Sequence, residues 1–382
     1  MKRTTCGLVA TLALSAHFAW AATSAPVAFV YVASNYSGSN NRVVGYSANA
    51  DGQLTQIPGS PWADNLNSLA VNGTYLFGSD NVPNDNGRNI YSYRIRPNGA
   101  LQYLGATNIQ RTGSENACND GENLLVDHSG VYLYVFVVEA NCNSGAAYQS
   151  FAVNQKTGLL NYVGVSAPNV FTLGAPLTMA ADNFYAYAAG GNGSYSAISG
   201  FKKGSNGALT AFNGDFPYPP GQPSSYMGYI EQATADSTNH VAFNLYWVSE
   251  EGDNSDTIAT YAINTTNGNL TTNSTYSNMP TTEVGESTWM TMAPSGKLLA
   301  VGGPNGLQIF NFNPHGQATA NTGLITRAPI DMMYWDNNNH LYAISNADGA
   351  IHVFTVTPTS ATEVSGSPYY VAHPLSLIVQ PK

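Results

Sequence analysis

Carboxylates and asparagines gather in three short polar segments that could do chemistry. They are "GSDNVPNDNGRN" (Gly78–Asn89), "GSENACNDGEN" (Gly113–Asn123) and "SEEGDNSD" (Ser249–Asp256). Such carboxylates can act as general acids or bases, or as hard oxygen ligands for Ca²⁺. The sequence has no twelve-residue calcium loop, no Cys/His cluster for Zn²⁺ and no G-x-S-x-G motif. We therefore expect no cofactor and no bound metal. The only metal ion that the acidic loops would suit is Ca²⁺.

The charge balance excludes two classes of partner. The chain has 13 Lys and Arg against 23 Asp and Glu, a net charge of −10. Phosphate backbones and anionic lipid surfaces repel such a protein. We expect no nucleic acid and no membrane insertion. The expected partner is therefore a small molecule, a carbohydrate, a peptide or a protein. The chain itself is expected to be a monomer.

The first 21 residues predict a secretory signal peptide. Lys2 and Arg3 give a basic start, and the apolar run over residues 7–15 is too short to anchor the chain in a bilayer. Small residues precede a cleavage site after Ala21, with Ala25 as the alternative. The mature protein is therefore expected to be secreted or periplasmic.

A short pattern recurs seven times along the chain, and "VVGYSANADGQL" (Val43–Leu54) shows it in full. It consists of an apolar residue, an aromatic residue three positions later, and a turn that contains Gly in six of the copies. The pairs are Val43 and Tyr46, Ile90 and Tyr93, Tyr148 and Phe151, Ile198 and Phe201, Ile258 and Tyr261, Leu307 and Phe310, and Ile351 and Phe354. Short β-branched runs closed by Gly turns predict strands. Residues three apart in a strand point to opposite faces, so both faces must be covered.

A second hairpin precedes each copy, most clearly in "LLVDHSGVYLYVFVV" (Leu124–Val138), which makes four strands per unit. The 357 residues from Pro26 to Lys382 give 51 per unit. This period predicts an all-β fold, a single seven-bladed β-propeller over residues 22–382. The C-terminal "HPLSLIVQPK" is expected to pair with the N-terminal "PVAFVYVASN" in one blade, which closes the ring.

Strand order assigns each loop to one of two faces. Connectors between blades and loops between second and third strands share the top face, and the hairpin turns share the bottom face. Four histidines fall in bottom turns: His128, His240, His315 and His340. His352 lies within a strand, so only His373 can join the top carboxylates as a catalytic candidate. The top carboxylates predicted to bind ligand are Asp80, Glu122, Glu283 and Glu286.

Cys118 and Cys142 are the two cysteines that remain after signal removal. One lies in a connector and the other in the next top loop of the same blade. In an oxidising compartment two cysteines usually pair, so a disulfide that staples a top loop is expected, with two free thiols as the alternative.

The repeated phrases carry a family resemblance. "FVYVASN", "VVGYSANADGQLTQIPGSP", "GALTAF" and "SGKLLAVGG" resemble the seven-bladed propeller lactonase family, whose members include 6-phosphogluconolactonases and fungal muconate cycloisomerases. The likeness covers the whole mature chain. It implies a polar site near one end of the central channel.

The resemblance also suggests which residues form that site. The family's Glu follows the second strand of a middle blade, and the nearest match, "LYWVSEEGDNSD", offers Glu250 or Glu251. Its Pro-Arg pair opens a late blade, where "TRAPIDMM" offers Arg327. Lactone hydrolysis needs a base to activate water and a positive group for the oxyanion. Glu250 or Glu251 would be that base and Arg327 that positive group. The family's His has no counterpart in "LGAPLTMAAD".

Two functions follow as hypotheses. The first is a lactonase-like hydrolase acting on a neutral or weakly charged lactone or sugar acid lactone. The second is a non-catalytic scaffold whose top loops bind a glycan, peptide or protein.

Overall fold

The computed structural model describes residues 25–36, 40–80, 89–110, 120–138, 147–167, 176–191, 196–222, 226–249, 254–313 and 317–382. These residues contain no helix and form 29 strands. In chain order the strands are β1 (Ala28–Tyr36), β2 (Asn40–Ala48), β3 (Leu54–Gln56), β4 (Leu66–Val71), β5 (Tyr75–Asp80), β6 (Asn89–Ile95), β7 (Leu101–Asn108), β8 (Asp120–Val126), β9 (Tyr132–Val138), β10 (Ala147–Val153), β11 (Leu160–Ser166), β12 (Leu177–Met179), β13 (Tyr185–Gly191), β14 (Ser196–Lys203), β15 (Leu209–Phe212), β16 (Tyr226–Ala235), β17 (His240–Ser249), β18 (Ser255–Ile263), β19 (Leu270–Thr271), β20 (Trp289–Met292), β21 (Leu298–Gly303), β22 (Gly306–Phe312), β23 (Ala318–Thr326), β24 (Met332–Trp335), β25 (His340–Ser345), β26 (Ala350–Thr357), β27 (Ser360–Glu363), β28 (Tyr369–Tyr370) and β29 (Pro374–Pro381).

Seven antiparallel sheets form the blades of a propeller. Blade 1 has the order β29-β1-β2-β3, so the C-terminal strand pairs with the N-terminal one and closes the ring as predicted. Blades 2 to 6 are the consecutive quartets β4–β7, β8–β11, β12–β15, β16–β19 and β20–β23. Blade 7 is β24–β27, and β28 pairs with β26 as an addition.

The hydrophobic core is divided into seven clusters, one at each junction between neighbouring blades. All seven predicted pairs of third-strand residues are buried, with Val43 and Tyr46 as the first pair. Because a residue on each face of the strand is covered by an adjacent blade, the double-sided pattern is confirmed.

Tyrosines of the second strands fasten one blade to the next. The hydroxyls of Tyr31, Tyr134 and Tyr187 donate to the carbonyls of Gly99, Gly207 and Gly268 in the turn of the following blade.

Gly207 shows why the turn residue is glycine. Its φ of 86° lies in the left-handed region, and a Cβ there would collide with the ring of Tyr132. The recurring Gly is therefore a packing requirement between blades as well as a turn residue.

No helix capable of crossing a bilayer occurs in the described part of the chain.

Candidate functional site

The inner strands of the blades surround a narrow central channel. A cavity of about 120 Å³ lies between them, and Thr234, Trp289 and Tyr334 are among its walls. The rings of Trp289 and Tyr334 are 5.8 Å apart. Thr234 accepts a hydrogen bond from the backbone N–H of Met292 on the next inner strand. Ring packing and a hydroxyl contact thus join neighbouring inner strands around the cavity.

The inner strand of blade 5 carries a carboxylate, Glu231. β16 runs from the top face to the bottom, and its register against β17 shifts between Ile230 and Gln232. Glu231 is the extra residue at that irregularity, and a bulge of this kind redirects a side chain. Its Oε2 accepts a bond of 3.5 Å from the amide Nδ2 of Asn244 on β17.

Asp256 lies on the other side of the same amide, near the start of β18. Its exposed fraction is 2 %, and Asn244 is fully buried. Neither Asp256 oxygen has a hydrogen-bond partner among the described residues, and neither has the Asn244 Oδ1. The buried hydroxyls of Thr282 and Ser287, in the connector to blade 6, are also without partners there. Five buried oxygens of these four residues therefore have no hydrogen-bond partner among the described residues.

Burial shifts the proton affinity of both carboxyls. Burial raises the pKa of Glu231 to about 8, and the negative charge of Glu286 adds to the effect. Burial likewise raises the pKa of Asp256 to about 8, and the charge of Glu231 contributes. The Asn244 amide, the Ser287 N–H and the Thr282 hydroxyl favour the ionised Asp256, but none of them reaches it with full hydrogen-bond geometry. Glu231 and Asp256 therefore titrate as a coupled pair near neutral pH.

The cluster of Glu231, Asn244, Asp256 and Glu286 has no positive member. No ion pair joins any of its three carboxyls to a Lys, Arg or His of the described ranges. Within those ranges no group of three or more His, Cys, Asp or Glu side chains is arranged to hold a metal ion. A carboxyl whose pKa lies near the working pH is suited to general acid–base catalysis.

The cluster contains one of the residues predicted from sequence. Glu286 lies between β19 and β20, is exposed, and its charge acts on Glu231. Glu283 is exposed in the same connector, where its backbone N–H donates to Gln308.

Other predicted residues lie elsewhere. Asp80 is buried at the end of β5, where it accepts hydrogen bonds from the Asn89 N–H (2.8 Å) and the Tyr91 hydroxyl (3.1 Å) and so links β5 to β6. Arg327 is exposed directly after β23, and His373 is exposed directly before β29 with a φ of 46°.

Several predictions fall outside the described residues. Glu250, Glu251, Cys118 and Cys142 belong to that group. Glu122 lies in β8, and its side chain is not described.

The bottom-face histidines are structural within the described turns. The Nδ1 atoms of His240 and His340 lie 3.1 Å and 2.7 Å from the carboxylates of Asp236 and Asp336. His352, on β26, lies 3.0 Å from Glu363. Their placement agrees with the map of turns drawn from strand order.

Glu231, Asn244 and Asp256 were missed by sequence reasoning. The available signal was a Glu within "YMGYIEQATA", an inner strand whose other residues are apolar or uncharged. A charge at a position that must face packed neighbours is costly unless it has a function or a partner.

Comparison with known proteins identifies the class of fold. A candidate 6-phosphogluconolactonase from Bacteroides uniformis superimposes with a TM-score of 0.67 at 14 % identity, covering 92 % of this chain and 99 % of that one. The periplasmic gluconolactonase of Pseudomonas aeruginosa gives 0.65 at 16 %, covering 92 % and 98 %. A candidate 6-phosphogluconolactonase from Bacteroides fragilis gives 0.64 at 16 %, covering 94 % and 99 %.

No protein-family model matches the chain, and no curated protein matches it in sequence. The chain is therefore a seven-bladed propeller of the architecture seen in these proteins. At these identities the likeness defines the fold alone.

Proposed function

We propose that the protein is a hydrolase of a neutral or weakly charged lactone, with Glu231 as the general base. The observation that carries the proposal is the pair of buried carboxyls on either side of Asn244, each with a pKa raised to about 8. The sugar-lactone names of the structural neighbours support a lactone as the substrate class.

The reaction requires one proton to leave water and return to the leaving oxygen. The Glu231 carboxylate takes a proton from water while the water oxygen bonds to the lactone carbonyl carbon, which forms a tetrahedral oxyanion. Collapse breaks the ring C–O bond, and the protonated Glu231 returns the proton to the alkoxide. The product is the open hydroxy acid. Arg327 stays the predicted partner of the oxyanion, and His373 the predicted additional acid or base.

Asp256 acts on Glu231 rather than on the substrate, because it is almost fully buried. While Asp256 is ionised, its charge makes Glu231 hold a proton more tightly. Asn244 fixes the orientation of Glu231 through the amide bond between them. Both are positioning residues.

The charge of the cluster bears on substrate choice. The negative charge of Glu286, which forms no ion pair with a cation among the described residues, disfavours a phosphorylated lactone, which carries about two negative charges at neutral pH. An uncharged sugar lactone avoids this repulsion.

Export is part of the proposal. The N-terminal signal predicted from the sequence would place the substrate outside the cytoplasm, and one structural neighbour is named periplasmic. Mass determination of the protein recovered from the periplasm and medium tests this: cleavage after Ala21 or Ala25 is expected, and an intact N-terminus would contradict it. Cys118 and Cys142 are proposed to pair in that compartment, which thiol labelling with and without reductant would check.

The test of function is proton release from a panel of neutral sugar and aliphatic lactones. We expect turnover that falls at least about 100-fold in Glu231→Gln. The control is Asp51→Asn, which removes an exposed carboxyl from a bottom turn. Hydrolysis that survives Glu231→Gln but is lost in Glu250→Gln/Glu251→Gln would move the base to the loop between β17 and β18. Absence of turnover across the panel would leave the binding scaffold as the function.

A further inference from the structure

The outer edge of blade 5 is short. Its fourth strand, β19, has 2 residues, close to the 3, 4 and 4 residues of the fourth strands of blades 1, 4 and 7, whereas those of blades 2, 3 and 6 have 8, 7 and 9. After Thr271 the chain leaves the sheet and returns at a bridge between Thr257 and Thr281, as blade 1 does at a bridge between Val43 and Trp62.

The detour leaves a groove of about 250 Å³ between blade 5 and the start of β23 in blade 6. Among the described residues, its walls carry hydroxyls and amides and no Asp, Glu, Lys, Arg or His side chain. Polar members of the walls are Thr260, Thr271, Asn273, Asn278, Gln317 and Thr319. Ile258 and Met279 add an apolar part.

The strand edge inside the groove is already satisfied. The backbone N–H of Thr260 donates to the Ser274 hydroxyl (3.0 Å), and the Thr272 hydroxyl donates to the Thr260 carbonyl (2.6 Å). The groove therefore does not invite an added peptide strand, which would need free backbone groups.

Four of the polar side chains remain available to a ligand. Thr271, Asn273, Gln317 and Thr319 are exposed, and their side chains make no hydrogen bond with the described residues. A hydroxyl both donates and accepts, and an amide carries both functions. Such groups around a partly apolar groove match a ligand with hydroxyls on its rim and C–H groups on its face.

We propose that this groove binds one unit of a neutral sugar. A groove of about 250 Å³ is smaller than the roughly 300–1,000 Å³ of pockets for drug-sized ligands, which suits a single hexose ring better than a longer chain. The binding site is independent of the lactone chemistry, and its ligand is a neutral polyol because none of the described residues that line the groove carries a charge.

The test is calorimetric titration of the mature protein with D-glucose, D-galactose and D-mannose. At least one should bind at a single saturable site. Thr271→Val and Thr319→Val, which each remove one hydroxyl at nearly constant volume, should weaken binding about three- to tenfold. The control is Thr265→Val, an exposed hydroxyl in the nearby turn that does not line the groove.

Three outcomes would overturn the proposal. The first is that none of the three sugars saturates. The second is unchanged affinity in Thr271→Val and Thr319→Val. The third is tighter binding of D-glucosamine or D-gluconate, which would replace the neutral ligand by an ion. Glu231→Gln should bind sugar as the wild type does. Loss of sugar binding in this variant would assign the sugar to the cluster of Glu231, Asn244, Asp256 and Glu286 instead.

Discussion

Two buried aspartates at opposite ends of the propeller have opposite proton affinities. Asp127 is 3 % exposed in a bottom turn, and Asp256 is 2 % exposed toward the top. Burial opposes ionisation of Asp127, but Lys203 (2.7 Å), Ser129 and Asn183 (2.9 Å) bond to it and hold its pKa below the usual value. Asp256 is equally buried without such partners, and its pKa is raised to about 8.

The comparison shows that burial alone does not set the charge of a carboxyl. At the bottom a complete set of donors makes the carboxylate part of the scaffold. At the top the groups near Asp256 do not reach it with full hydrogen-bond geometry, so the pair of Glu231 and Asp256 keeps a proton that can be exchanged. Two equally buried carboxyls can therefore be distinguished by their hydrogen-bond and ion-pair partners. A carboxyl with a full set of partners indicates a structural role, and one without them indicates a candidate functional site.

The largest effect should come from breaking the bottom pair. Lys203→Met leaves Asp127 buried without its cation, and we expect the free energy of unfolding to fall by about 3–5 kcal/mol. Urea unfolding followed by fluorescence measures it. Asp256→Asn, measured in the same way at pH 7, should cost less than about 1 kcal/mol, because Asn replaces a carboxyl that is already protonated. Equal losses in the two variants would remove the distinction between the two ends.

The next effect concerns activity. Lys203→Met at a temperature where it is folded should retain lactone turnover, whereas Glu231→Gln should lose at least about 100-fold in kcat, or about 2.7 kcal/mol of transition-state stabilisation. Proton release under saturating substrate measures both. Comparable losses in both variants would mean that the top carboxyl is no more catalytic than the bottom ion pair.

The pH dependence of stability should have opposite signs at the two ends. Glu231 and Asp256 titrate near 8 when folded but near 4 when unfolded, so the folded state binds more protons in that window and stability falls as pH rises from about 4 to about 8. Asp127 has a lowered pKa, so its contribution is present above about 3.9 and is lost as pH falls through its folded pKa. Urea midpoints across this range should decline in the wild type and flatten in Glu231→Gln/Asp256→Asn. A wild-type curve without that decline would contradict the raised values.

The smallest effect should come from the exposed member of the cluster. The charge of Glu286 raises the pKa of Glu231, so Glu286→Gln should move the acidic limb of the pH–rate profile to lower pH. It should also improve turnover of an anionic lactone relative to a neutral one. Asp51→Asn is the matched control. A profile that stays in place would show that Glu286 does not act on the base.

The sequence determines the fold through a local rule that repeats. Pairs such as Ile198 and Phe201 must bury both faces of a strand, and the Gly turn that follows must fit against the preceding blade, as Gly207 does against Tyr132. Because each blade contacts only its neighbours, seven copies of one local pattern are enough to predict the whole ring, including the pairing of β29 with β1.

The site could not be predicted in the same way. Asn244 reaches Glu231 because of a bulge in β16, and Thr282 and Ser287 face Asp256 because a connector to the next blade folds over it. Neither the bulge nor the fold of the connector belongs to the pattern that repeats in the sequence, so neither could be predicted from it. Reasoning from loop charge named Glu286, whose charge acts on Glu231, and placed the base at Glu250 or Glu251. Asp80, named as a ligand-binding residue, accepts a hydrogen bond from Asn89 of its own blade. The functional roles of all four residues stay predictions.

A side-chain carboxyl NMR titration of protein with isotope-labelled Asp and Glu tests the central claim most directly. Glu231→Gln and Asp256→Asn would assign the two signals. The account predicts that both carboxyls titrate as a coupled pair near pH 8, and that removal of either lowers the midpoint of the other. Midpoints near the ordinary values of about 4.3 for Glu and about 3.9 for Asp would contradict it, because the cluster would then be ionised throughout the neutral range.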